Sequence, residues 1–268
     1  GLSTEYENGK PTATTTYKDG EALGLSIIFR SDGSISDRAM LKGGRYHGIY
    51  EWLRPDGSVS QRGMMKDGRY HGVHDFFTNI GGSLRQRTIY KDGLRTGLQE
   101  FFHPNGIIRE RGMMFDDRYN GLYEIFNHPD GSLSTRYILK DGLKNGLQEW
   151  FRPDGSLKER AMMVNDQFNG VYEWFNHPDG SMDQRAIYKD GLKNGLEEWF
   201  RLDGSLEQRA MMVDGLYHGA YELFNHPDGS LNQRAIYKDG LKNGLQEWFR
   251  LDGSLEQRAM MVNDQYNG

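Results

Sequence analysis

Three sets of residues in this chain are of types that do chemistry. Asn-His-Pro-Asp occurs at 127–130, 176–179 and 225–228, and an imidazole beside a carboxylate is the composition of a metal or sugar site. An arginine recurs as Arg38, Arg62, Arg87, Arg111, Arg136, Arg160, Arg185, Arg209, Arg234 and Arg258. An acid recurs in step with it as Glu51, Asp75, Glu100, Glu124, Glu149, Glu173, Glu198, Glu222 and Glu247. A carboxylate with a fixed partner is how a general acid is tuned. Finally, Trp52, Trp150, Trp174, Trp199 and Trp248 occupy one equivalent position, a candidate binding stripe for carbohydrate or peptide.

Each set also has a structural reading, and repetition decides between the two. Catalysis needs one special constellation, whereas these pairs are equal copies, so the Glu–Arg series reads as a structural ion-pair ladder. The histidine loops recur on every second unit and would lie about 20 Å apart, too far for one metal, so Pro and Asp there read as turn residues. The tryptophans read rather as core packing, because aromatics dominate the stacking of hairpins. Asp-Gly-Ser lacks the spaced acids of a calcium loop. No catalytic, cofactor-binding or metal site is expected.

The repeat itself is anchored by a glycine at Gly24, Gly48, Gly72, Gly97, Gly121, Gly146, Gly170, Gly195, Gly219, Gly244 and Gly268. This divides 1–268 into one continuous array of units 1–23, 24–47, 48–71, 72–96, 97–120, 121–145, 146–169, 170–194, 195–218, 219–243 and 244–267. Short and long units alternate.

Within 146–169, Leu147–Arg152 and Leu157–Met163 are strand-length runs around Pro153-Asp154-Gly155, a β-hairpin. A two-residue loop at Asp154-Gly155 pairs Arg152 with Leu157, Trp150 with Glu159 and Glu149 with Arg160. One face then carries Leu147, Glu149, Phe151, Arg160 and Met162; the other carries Trp150, Leu157, Ala161 and Met163. The long units carry an extra residue in Asn-His-Pro-Asp-Gly, and a three-residue loop there keeps Glu173 opposite Arg185. The Asn-Gly anchors read as positive-φ turns.

Composition bounds the rest. Hydrophobic residues are 36%, which argues against a thick core, while 12% aromatics argue against disorder. A net charge of −5 with mixed signs does not point to nucleic acid. The absence of cysteine excludes disulfides, zinc-thiolate sites and cysteine nucleophiles. No apolar run approaches the length of a membrane-spanning helix. Gly1 is not an initiator methionine and no signal sequence is visible, so a processed product or a part of something longer is expected.

With Trp150-Phe151, Asp154-Gly155, Leu157 and the Tyr188-Lys189-Asp190-Gly191 return, the unit resembles the MORN repeat, in particular its bacterial variant. The resemblance runs along essentially the whole chain. It departs in a slightly longer unit and in Arg-Ala-Met-Met on the second strand. It implies an all-β fold, an elongated single-layer twisted antiparallel sheet of tandem hairpins, with no inherent catalysis and no cofactor. MORN arrays resemble protein-binding or membrane-proximal scaffolds, and bacterial ones are sometimes linked to toxin neutralisation.

The expected fold has about 22 strands, near 100 Å end to end at about 4.8 Å per strand. The expected function is a non-enzymatic scaffold presenting a protein-interaction surface. The alternatives are a self-assembling extracellular filament and a carbohydrate- or toxin-binding module. A protein partner or self-association is expected and carbohydrate is possible, without nucleic acid or a transmembrane segment. Compartment is open, leaning to the cell surface.

Overall fold

The computed structural model describes residues 1–78 and 81–267. The last anchor, Gly268, and two residues of the 72–96 repeat lie outside the described residues. Among the described residues there are 23 strands and no helix, against the 22 strands expected. The chain forms two compact units, Gly1–Ser132 with Lys140–Gly142, and Leu133–Leu139 with Leu143–Gly268. Within each, successive strands pair antiparallel in chain order as a single open layer, in runs such as Leu143–Phe151, Leu157–Val164, Gln167–Trp174, Gln184–Lys189 and Leu192–Phe200.

The expected register holds at its centre. Glu149 lies opposite Arg160, Trp150 opposite Glu159 and Glu173 opposite Arg185. It fails next to the turn, where Leu157 faces Phe151 instead of Arg152. The Arg152 amide donates to the Ser156 carbonyl (2.8 Å) and the Gly155 amide to the Arg152 carbonyl (2.9 Å). The loop is therefore three residues, Pro153-Asp154-Gly155, with Gly155 at φ +85°. Lys158 is extruded as a bulge, which restores the pairing one residue on. In the long unit the Asn225 amide reaches the Ser230 carbonyl (2.8 Å) around four residues. The extra residue thus sits in the turn, one longer than expected because the bulge absorbs a residue; in 170–194 the pairing carries no bulge, and a wider turn leads to the Asp183 amide on the Trp174 carbonyl (2.8 Å).

A second correction concerns the anchor glycines. Gly170 has φ +114° as expected, yet it lies inside the strand Gln167–Trp174, not at a turn. There Asn169, Gly170 and Val171 together face Met162, and a Cβ on Gly170 would lie 3.0 Å from the Met162 Cβ. Glycine is required by both the dihedral and this close approach. The true return turns are pairs such as Asn165-Asp166, both at positive φ, and Asp190-Gly191. These are the dihedrals of a type I′ turn.

The sheet buries only one face, and does so with its own side chains. Along it, large and small residues alternate from strand to strand. Ala161 lies between Gln148 and Tyr172, Ala186 between Tyr172 and Glu197, Ala210 between Glu197 and Tyr221, and Ala235 between Tyr221 and Gln246. The four alanines are essentially inaccessible. Where the facing ring comes closer, the small residue shrinks further. A Cβ at Gly112 would lie 2.5 Å from the Tyr123 ring, and one at Gly63 2.6 Å from the His74 ring.

Adjacent methionines report the two faces. Met65, Met114, Met163, Met212 and Met261 are 4–8% exposed, whereas their predecessors Met64, Met113, Met162, Met211 and Met260 are 40–48% exposed. Phe151, on the open face, is only half-buried.

Two stability predictions follow from this asymmetry. Met163→Ala should cost about 2–4 kcal/mol in denaturant unfolding and Met162→Ala about 0.5 kcal/mol or less; equal costs would contradict the face assignment. Gly112→Ala should cost about 1–3 kcal/mol by overpacking, and a neutral result would show that the tyrosine yields freely.

Candidate interaction surface

The open face carries three parallel rows. The first is aliphatic: Leu147 faces Met162, Val171 faces Ile187, Leu196 faces Met211 and Leu245 faces Met260. Each strand contributes one such residue because side chains on a strand alternate faces. The second row is the Glu–Arg series and the third a line of phenylalanines.

Backbone register places each arginine between two acids, and most side chains choose the following strand, whereas Arg87 binds Asp75 of the preceding one (2.8 Å). Arg136 binds Glu149 (3.2 Å), Arg160 binds Glu173, Arg185 binds Glu198 (2.6 Å) and Arg209 binds Glu222. Each guanidinium also covers the next phenylalanine of that strand: Arg136 over Phe151 (5.8 Å), Arg160 over Phe175 (5.8 Å), Arg185 over Phe200 (5.9 Å) and Arg209 over Phe224 (5.5 Å). Arg234 lies 3.6 Å from Glu247 and 3.5 Å from Glu222, while Arg258 faces Glu247 in register. Most of these contacts therefore join one hairpin to the next, where hairpin-internal pairing alone was expected. From Glu149 to Glu247 the carboxylates are 10–18% exposed and the arginines beside them 40–46%. The face thus shows solvent its positive partner.

The tryptophans lie on the buried face, each half-covered. Trp52 packs 5.1 Å from the Tyr50 ring and Trp150 5.9 Å from Tyr137. The ammonium groups of Lys144 and Lys193 sit 5.7 Å over Trp150 and Trp199.

The Asn-His-Pro-Asp loops do not form one kind of site. The His128 ring lies tilted 4.6 Å from that of His103, His226 lies 2.9 Å from the Asp203 carboxylate, and His177 donates to the Phe200 carbonyl at 2.9 Å. Among the described residues, no three His, Asp or Glu side chains are grouped to hold a metal ion. In the turns, Asp154 accepts from the Ser156 amide (2.8 Å) and hydroxyl (2.7 Å). The equivalent bonds from Ser205, with His226 beside the carboxylate, pull the Asp203 carboxyl down to about 2.

Two sets of residues escaped the sequence reading. The turn arginines are clamps: Arg54 donates to the Val59 carbonyl (2.8 Å) and, 23 residues on, to that of Phe77 (2.7 Å). Arg152 repeats this with Leu157 and Phe175, and Arg201 with Leu206 and Phe224. The second set is a column of buried polar side chains. Gln148, fully buried, donates to the Ile138 and Gly146 carbonyls, both at 3.0 Å, around the glycine bulge. The bulge interrupts the ladder, and a buried carbonyl needs a donor. Position alone signals this role, since Gln148 shares the face of Ala161.

At the equivalent position His74 does the same. Its Nε2–H donates to the Met64 carbonyl (2.7 Å), and its Nδ1 accepts from the Tyr50 hydroxyl (2.8 Å), which in turn accepts from Gln61. Burial lowers the His74 pKa from its ordinary 6.5. The fold therefore binds the neutral ring, and its contribution is present above pH 6.5 and lost as pH falls below it. His74→Gln, the residue at 148, should remove this term. Between pH 7.5 and 5 the wild type should lose more stability than the variant in paired denaturant titrations; parallel curves would contradict the network.

Comparison with known proteins gives a short match. Residues 95–116 match the MORN repeat variant family. No curated protein matches the chain. The crystal structure of TarM is 14% identical, covering 50% of this chain and 22% of that one at a TM-score of 0.22, a likeness that carries no argument. The matched segment includes Ile108–Phe115 and most of Leu94–Phe102, a hairpin with Arg111 opposite Glu100. The chain is thus a long series of β-hairpin strands consistent with a MORN repeat array, in which residues 95–116 are the matched repeat.

Proposed function

We propose that this chain is a non-enzymatic repeat protein whose open face, the rows of Leu147, Met162 and their equivalents, is a protein-interaction surface. MORN repeats are a family of protein and membrane interaction, and their all-β fold is typically non-catalytic. Among the described residues, no helix is long and apolar enough to cross a membrane. The observation that carries the reading is the aliphatic row itself. Leu147, Met162, Val171, Leu196 and Met211 are 37–41% exposed, and contiguous exposed apolar surface marks interaction sites. The tryptophan stripe is less suited, because Trp52 and Trp150 already pack against tyrosines and lysine ammonium groups of the chain cover Trp150 and Trp199.

A photo-crosslinking residue placed singly at Leu147, Leu196 or Gln167 tests this in cells expressing the chain. Leu147 and Leu196 should give discrete protein adducts and Gln167, exposed at the start of its strand, none. Adducts from Gln167 alone, or indiscriminate adducts from all three, would contradict the assignment.

A further inference from the structure

We infer that the open face of the second unit receives an amphipathic α-helix with acidic flanks, an inference that rests on the interaction surface proposed above and names its partner. The first observation is spacing. Equivalent aliphatic residues, Leu147, Val171, Leu196, Ala220 and Leu245, recur once per hairpin. Two strands at about 4.8 Å make that interval about 9.6 Å. A helix rises about 1.5 Å per residue, so its heptad repeats every 10.5 Å or so. Over four intervals the two periods drift apart by about 4 Å, less than one strand spacing. A helix laid across the strands therefore offers one apolar pair, three or four residues apart, to each Leu–Met or Val–Ile pair of the sheet.

The second observation is charge. The apolar row is bordered by the arginines, 40–46% exposed, above carboxylates that are 10–18% exposed. Arg160 and Arg209 engage those carboxylates through Nε. They are held in place by this bond and by the ring beneath, so a flanking glutamate meets a pre-set guanidinium. A second copy of this face would instead bring another arginine border, and like charges across an interface select against it. An acidic amphipathic helix satisfies both rows.

The test uses the whole chain and a fluorescent 28-residue peptide of four heptads, with Leu at the a and d positions and Glu at the flanking e and g positions. A second peptide carries Lys in place of Glu. The Glu peptide should bind and raise its anisotropy, and the Lys peptide should bind at least tenfold more weakly. Leu196→Glu with Met211→Glu, facing residues on the open row, should weaken the Glu peptide at least tenfold while the circular dichroism of the chain is unchanged. Equal binding of the two peptides, or no loss in the double variant, overturns the inference without requiring any variant to fold. Sedimentation of the chain alone separates the two readings: self-association abolished by the double variant, with no peptide bound, would refute the helix and keep the interaction face.

Discussion

The structure depends on one packing constraint, the alternation of large and small side chains across the strands of the buried face. A single-layer sheet has no second layer to cover it, and two strands alone bury too little to persist. Here Tyr, Gln, His or Glu on one strand closes over Ala or Gly on the next. The sheet supplies its own cover, and each hairpin completes the core of its neighbour. Stability in such an arrangement is a sum of nearest-neighbour terms. The polar character of the large residues has its own cause: the glycine bulges interrupt the ladder, and amides such as that of Gln148 cap the carbonyls left there.

The open face adds a second set of links between hairpins. Arg160 joins Glu173 and covers Phe175, while Arg152 clamps its own turn and the carbonyl of Phe175. With the arginines nearly half exposed, solvent screens each ion pair to about 1 kcal/mol or less, and a cation–π contact adds a similar amount. Repeated at every step, they set the register of neighbouring hairpins more than they supply total stability. Bonded and stacked arginines are also held still, which leaves the aliphatic row beside them as a flat, ordered surface.

Much of this was legible in the residues. The opposition of Glu149 to Arg160 fixes which side chains share a face, and it survives in the structure. The turn lengths were not legible, because nothing in Leu157-Lys158-Glu159 marks Lys158 as a bulge. Nor was the destination of each arginine, since the register sets an acid on both sides, each with a phenylalanine two residues beyond it, and only the side-chain geometry shows which pair is taken. Asn-Gly reads as a turn, and only the close approach of Gly170 to Met162 shows why glycine sits mid-strand. Gln148 reads as surface on polarity, although its register position opposite Ala161 places it on the buried face.

One face is closed by the chain itself and the other is left open, and the five adjacent methionine pairs measure this difference directly. Within each pair the two residues share local sequence but face opposite ways. Under dilute hydrogen peroxide at neutral pH, site-resolved mass spectrometry should show Met64, Met113, Met162, Met211 and Met260 oxidised first. Met65, Met114, Met163, Met212 and Met261 should lag behind them in every pair. Equal rates within the pairs, or faster oxidation of the second residue, would contradict the account.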